Sequence, residues 1–144
     1  MVRRPWRAWT LAVLLLFPSG AVAMGFPGGE APGSIPKPTR DFVFSVIDQQ
    51  GVETRLREFS IEGSLYLSGH HGKGKVAMPF ERIRAVRLRA AGDELHARAE
   101  LVDGTTADLV VNGRNKCYGR MDYGNFQIEL RDVEKLVNQG ETPR

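Results

Sequence analysis

Two stretches of this chain, fifty residues apart, carry the same punctuation. Gly69, Gly74, Val76, Met78, Phe80, Ile83 and Val86 stand over Gly119, Gly124, Phe126, Ile128, Leu130, Val133 and Leu136. In each stretch two glycines precede three alternating apolar residues, and two more apolar residues follow a short gap. No insertion is needed between the first and last of these positions. Self-similarity at such a period fixes architecture, because a unit this short cannot bury a face alone and must pack against its neighbour.

The rest of the chain from Asp41 fits the same repeat. Phe42, Phe44 and Val46 alternate with smaller or polar residues, the period of a half-buried strand. Gln49-Gln50-Gly51 reads as a turn, Val52–Phe59 as the returning strand, and Leu65–Ser68 as a third. The glycine-rich loop 69–74 leads into a fourth strand, Lys75–Phe80. Glu81–Ile83 reads as an irregular or 3-10 turn before a fifth strand, Ala85–Arg89. The second copy repeats this series as Glu94–Val102, Thr105–Val111, Lys116–Gly119, Asn125–Leu130 and Val133–Val137, with Asp103-Gly104 as its clearest hairpin turn. Gly104 follows Gly51 by 53 residues, so the second copy lacks three residues near Asn112.

The pattern predicts an all-β domain over 41–137. It is a small barrel or sandwich built from two tandem five-strand meanders, an internal duplication with copies at about 41–89 and 94–137, followed by a tail at 138–144. Four strands, a tight turn and a fifth strand resemble a small SH3-like barrel. The pattern leaves open one shared core or two such barrels. Pro79 interrupts the fourth strand, which places that strand at an edge or turns the proline nitrogen to solvent. Cys117 aligns with Leu67 and is expected to be buried. Met78, Phe80, Ile128 and Leu130 are expected to share one core. Arg82 and Arg84 align with Asp132 and Glu134, which suggests that the two charged turns approach each other about a pseudo-two-fold axis.

The chain before Asp41 is of another kind. Arg3, Arg4 and Arg7 precede a short apolar run, Trp9–Phe17, and Ala21-Val22-Ala23 supplies a small-x-small cleavage site. These are the parts of a secretory signal peptide over 1–23, too short to be a comfortable membrane span. Residues 24–40 are rich in proline and glycine and read as a flexible linker. The expected protein is periplasmic or secreted, with no stable membrane span after cleavage. The chain has 20 Lys+Arg against 17 Asp+Glu, and the excess of three lies in the leader. The remainder is formally balanced and offers no basic footprint for nucleic acid.

Signs of chemistry are sparse. No nucleophile, paired carboxylate or phosphate-loop pattern stands in a catalytic context, so no enzyme, catalytic residue or cofactor is expected. Tyr118, Arg120 and Tyr123, with Tyr66, offer aromatic and guanidinium groups suited to contacting a protein or glycan of the cell envelope. The glycine-rich loop that carries His70 and His71 also offers, with Lys73 and Lys75, backbone N–H groups and positive charge that could hold an anion. The expected function is a non-catalytic exported β-module that contacts an envelope protein or polymer. The alternative is a periplasmic metal-binding protein using His70 and His71, although two adjacent imidazoles fall short of a metal's usual three or four ligands.

Overall fold

The computed structural model describes residues 32–143. The signal peptide expected at 1–23 and linker residues 24–31 lie outside the described residues. Ten antiparallel strands form one curled, half-barrel sheet with almost no helix. The first copy supplies β1 (Phe42–Asp48), β2 (Glu53–Ile61), β3 (Tyr66–His71), β4 (Gly74–Pro79) and β5 (Ile83–Ala91). The second supplies β6 (Glu94–Leu101), β7 (Thr106–Val111), β8 (Lys116–Met121), β9 (Gly124–Glu129) and β10 (Val133–Glu141). One 3-10 turn precedes the last strand of each copy, Phe80–Arg82 and Leu130–Asp132.

The sheet order is β4-β3-β7-β6-β5-β10-β1-β2-β8-β9. Exchanging the strands of one copy for those of the other reverses this order and leaves it otherwise unchanged. A pseudo-two-fold axis therefore crosses the sheet between β5 and β10, where Val86 pairs with Leu136. The copies do not close on themselves. Hairpin β1–β2 lies between β10 and β8 of the second copy, and hairpin β6–β7 lies between β5 and β3 of the first. Each copy gives its first hairpin to the other. The 3-10 turns hold the exchanged hairpins symmetrically: Val102 N donates to Arg82 O and Gln49 N donates to Asp132 O, both at 3.0 Å.

The exchange explains why Gly69 and Gly119 are glycine in both copies. A Cβ on Gly119 would lie 2.6 Å from Leu56 Cβ, and one on Gly69 would lie 2.9 Å from the Val110 carbonyl oxygen. Each glycine lets a hairpin strand pass close over the strand received from the other copy. Neither has a left-handed backbone; the requirement is space.

All buried apolar side chains of the two copies except Val43 and Ala85 join one cluster. Phe44 stacks on Phe59 with ring centroids 4.2 Å apart, and Phe80 lies 5.0 Å from Phe44. Met78, Phe80 and Leu130 are buried in this cluster, and Ile128 packs half-buried against it. There is one shared core rather than two barrels. Cys117 is fully buried in β8, as Leu67 is in β3. β4 and β9 are the sheet edges, so the missing N–H of Pro79 costs no interior ladder bond.

Two expectations are corrected. β10 runs through Glu141 instead of ending at Val137, and its last residue pairs with Phe42. Its polar residues are used: Asn138 Nδ2 donates to Phe80 O and Ile83 O at 3.0 and 2.9 Å, and Gly140 takes φ +103°. The charged turns do not meet. β5 and β10 are antiparallel about Val86 and Leu136, which sends the turns to opposite ends of the seam. Arg84 pairs instead with Glu100, Glu81 with Arg40, and Arg131 with Glu129.

Residues 32–40 contain no strand, but they touch the sheet. Asn125 Nδ2 reaches the carbonyls of Pro32 and Gly33, and Pro38 is buried. Arg40 makes a two-point contact with Glu141 at 2.9 and 2.6 Å and lies over the Phe42 ring. Thr142 N donates to Asp41 O beside it, which brings the two ends of the domain together.

Candidate functional site

The halves of the sheet depart from symmetry where the second copy is three residues shorter. β2 has nine residues and β7 has six. In β2 the register breaks between Arg57 and Ser60, and Glu58 takes φ +49°. A left-handed backbone at a residue with a side chain costs about 1–3 kcal/mol and persists only where its surroundings hold it. Here Asp41 Oδ1 accepts the Glu58 N–H at 2.6 Å. The bulge turns the Glu58 carboxylate toward β8, where Oε2 lies 2.8 Å from Arg120 Nε, an ion pair off the hydrogen-bonding direction.

Arg120 is the direct cross-strand partner of Arg57. Leu56 points into the core, so Arg55 and Arg57 on either side of it both face outward. The β8–β9 hairpin tip adds Met121, Asp122 and Tyr123, completing a groove of about 220 Å³. Tyr123 is 86% exposed. Three guanidiniums thus line the groove with one carboxylate, Asp122. Among the described residues neither Arg55 nor Arg57 makes an ion pair. Like charges directly opposite on a sheet destabilise it, and Glu58 offsets only the Arg120 side.

The same deletion opens a second recess in the other half. Ser60–Tyr118 and Ile61–Cys117 pair β2 to β8, but β7 ends before the corresponding positions, and β3 meets β7 only at His70–Val110. That pair is the twin of Arg120–Arg57. A cleft of about 340 Å³ remains, with Ser68, His70, Lys75, Asn112 and Asn115 around a valine floor.

The predicted site residues are divided between these places. Arg120 and Tyr123 meet in the groove. Tyr118 is half-buried between Ser60 and Gln127 and does not line it. Tyr66 lies on β3, opposite Pro79. His70 lines the cleft, His71 pairs with Gly74 next to the hairpin turn, and Lys73 is in the turn itself. Successive strand residues face opposite ways, so the two imidazoles do not converge. Among the described residues no group of three or more His, Cys, Asp or Glu side chains is placed to hold a metal ion, and no helix is long and apolar enough to cross a membrane.

Arg55, Arg57 and Glu58 were not among the predicted site residues. A sequence signal existed for the arginines: with the 53-residue offset they stand over Asp108 and Val110, so the outward positive charges at these positions belong to one copy alone. The bulge at Glu58 leaves no such mark, because glutamate carries no preference for that backbone.

The chain belongs to a protein family described as "Uncharacterised protein", which matches residues 38–141, the span from buried Pro38 to the last residue of β10. It is similar to an "Uncharacterized protein" of Aquifex aeolicus (strain VF5), with 24% identity over 125 residues that cover 86% of this chain and 91% of the other. No solved structure matches it.

Proposed function

We propose that the protein is a non-catalytic, exported β-module, periplasmic or secreted, that contacts a protein or polymer of the cell envelope through the groove between β2 and the β8–β9 hairpin. The observation that carries this reading is the juxtaposition of Arg55, Arg57 and Arg120 with the exposed ring of Tyr123. Arginine and tyrosine are, with tryptophan, the side chains enriched where the energy of a contact surface is concentrated. The leader, with Arg3, Arg4, Arg7, an apolar core and Ala21-Val22-Ala23, supports export.

Two experiments test it. Mass measurement of the protein recovered from the source organism's envelope should give a chain beginning at Met24, and a full-length cytosolic chain would contradict export. Capture of an envelope component by the purified protein should fall in Arg57→Gln and Tyr123→Ala variants. Capture that persists undiminished in both removes the groove from the contact.

A further inference from the structure

We propose that the groove takes an acidic polysaccharide, its guanidiniums engaging carboxylate or sulfate groups and Tyr123 stacking on a sugar ring; this rests on the groove being the contact surface. Arg55 and Arg57 lie two residues apart on one face of β2, about 7 Å along the strand, and Arg120 stands across from Arg57. A short ladder of planar cations suits a ligand with repeated anions better than one isolated ion. Guanidinium matches planar carboxylate and sulfate oxygens two at a time.

Two features argue for a built site. The bulge at Glu58 has no counterpart in the second copy: among the described residues, the only non-glycine residues with positive φ are Glu58 and Glu62, both in the first copy. Bulges of this kind re-aim side chains beside functional sites. This one places a carboxylate, 21% exposed, against Arg120 Nε. The ion pair holds Arg120 in register with Arg57 despite their repulsion, and an arriving anion would relieve what repulsion remains.

The second feature is Tyr123. Its ring stands at the hairpin tip, 86% exposed, beside the arginines and out of contact with the core. A large aromatic side chain left in water gains nothing for folding. A flat, exposed ring lining the groove suits the apolar C–H face of a sugar. Asp122 at the groove's rim opposes an unbroken row of anions along its whole length.

The test uses the folded protein with polygalacturonate, dextran sulfate, neutral dextran and polyglutamate in titration calorimetry. At least one acidic glycan should bind, with affinity falling as salt rises, and neutral dextran should not. Arg55→Gln/Arg57→Gln, at exposed positions, should weaken glycan binding by about tenfold or more. Tyr123→Ala should weaken glycan binding several-fold and leave polyglutamate binding unchanged. The two glycans separate carboxylate from sulfate recognition. Glycan binding indifferent to the arginine pair, or a Tyr123→Ala effect equal for glycan and polyglutamate, overturns the proposal. If the wild-type protein ignores both glycans yet its envelope capture still needs Arg57, the glycan assignment fails and the contact surface stands. If capture is indifferent to both Arg57 and Tyr123, the contact surface itself fails.

Discussion

Val86 and Leu136 face each other across the middle of the sheet, and they are the same position of the two copies. Along an antiparallel pair of repeated strands, only one matched pair can be in direct register. That pair marks the symmetry axis, and both its side chains are buried. Truncating Leu136 to Ala should destabilise the domain by about 2–5 kcal/mol in denaturant titration, a core cavity at the junction of both halves. A loss below 1 kcal/mol would mean that the seam is not packed as described.

Gly119→Ala adds one methyl group against buried Leu56, at a separation no real side chain tolerates. Overpacking of this kind costs about 1–3 kcal/mol. Gly124→Ala is the control, since a Cβ there meets nothing. Equal melting temperatures for the two variants would contradict the close passage of β8 over β2.

Phe80 contacts the rings of Phe42, Phe44 and Phe59. Phe80→Ala should cost about 3–5 kcal/mol, a large part of a small domain's entire stability. A cooperative transition with an unchanged midpoint would refute this placement.

Burial pushes the Cys117 thiol well above its usual range, and the negative charge of Glu62 adds to the shift. A thiol reagent should therefore label the unfolded chain and spare the native one. The sign of the pH effect follows. The folded thiol ionises later than the unfolded one, so its contribution is complete below the unfolded pKa and declines above about 8.5. Stability should fall there with a slope of about 1.4 kcal/mol per pH unit that Cys117→Ala removes. The same alkaline slope in that variant would assign it to other groups.

The ends of the domain lie as close as those of a hairpin. Thr142 N donates to Asp41 O, while Ala91 and Glu94 pair across the two-residue Gly92-Asp93 turn that joins the copies. The axis relates these two places. A circular permutant opened between Gly92 and Asp93, with residues 40 and 142 joined by a short turn, should keep the native circular dichroism spectrum and the buried Cys117. A disordered permutant would show that the β5–β6 connection is required and not merely convenient.

Much of this architecture is legible in the residues. Alternation in Phe42-Phe44-Val46 and in Leu95-Ala97-Ala99 marks strands, and the spacing from Phe80 to Ile83 marks the 3-10 turn. The exchange of hairpins is not legible. A strand needs the same inward residues whether it pairs with its own copy or with the other, so β2 beside β3 and β2 beside β8 require one pattern. Gly69 and Gly119 announce a close approach without naming the strand that approaches. At the site, Arg120 and Tyr123 stand out as exposed chemistry near a turn, but the residues that complete it come from β2, 63 or more positions earlier. Only pairing brings Arg57 to them.

The hairpin exchange also makes the Gly92-Asp93 connection a tether. Neither copy holds a complete set of neighbours, so either half alone would have to find a second molecule and would fold only as concentrated solutions allow. Covalent linkage replaces that search with an internal encounter at an effective concentration on the order of millimolar. The intact chain should therefore melt at a temperature independent of dilution, whereas a mixture of the separated halves should not.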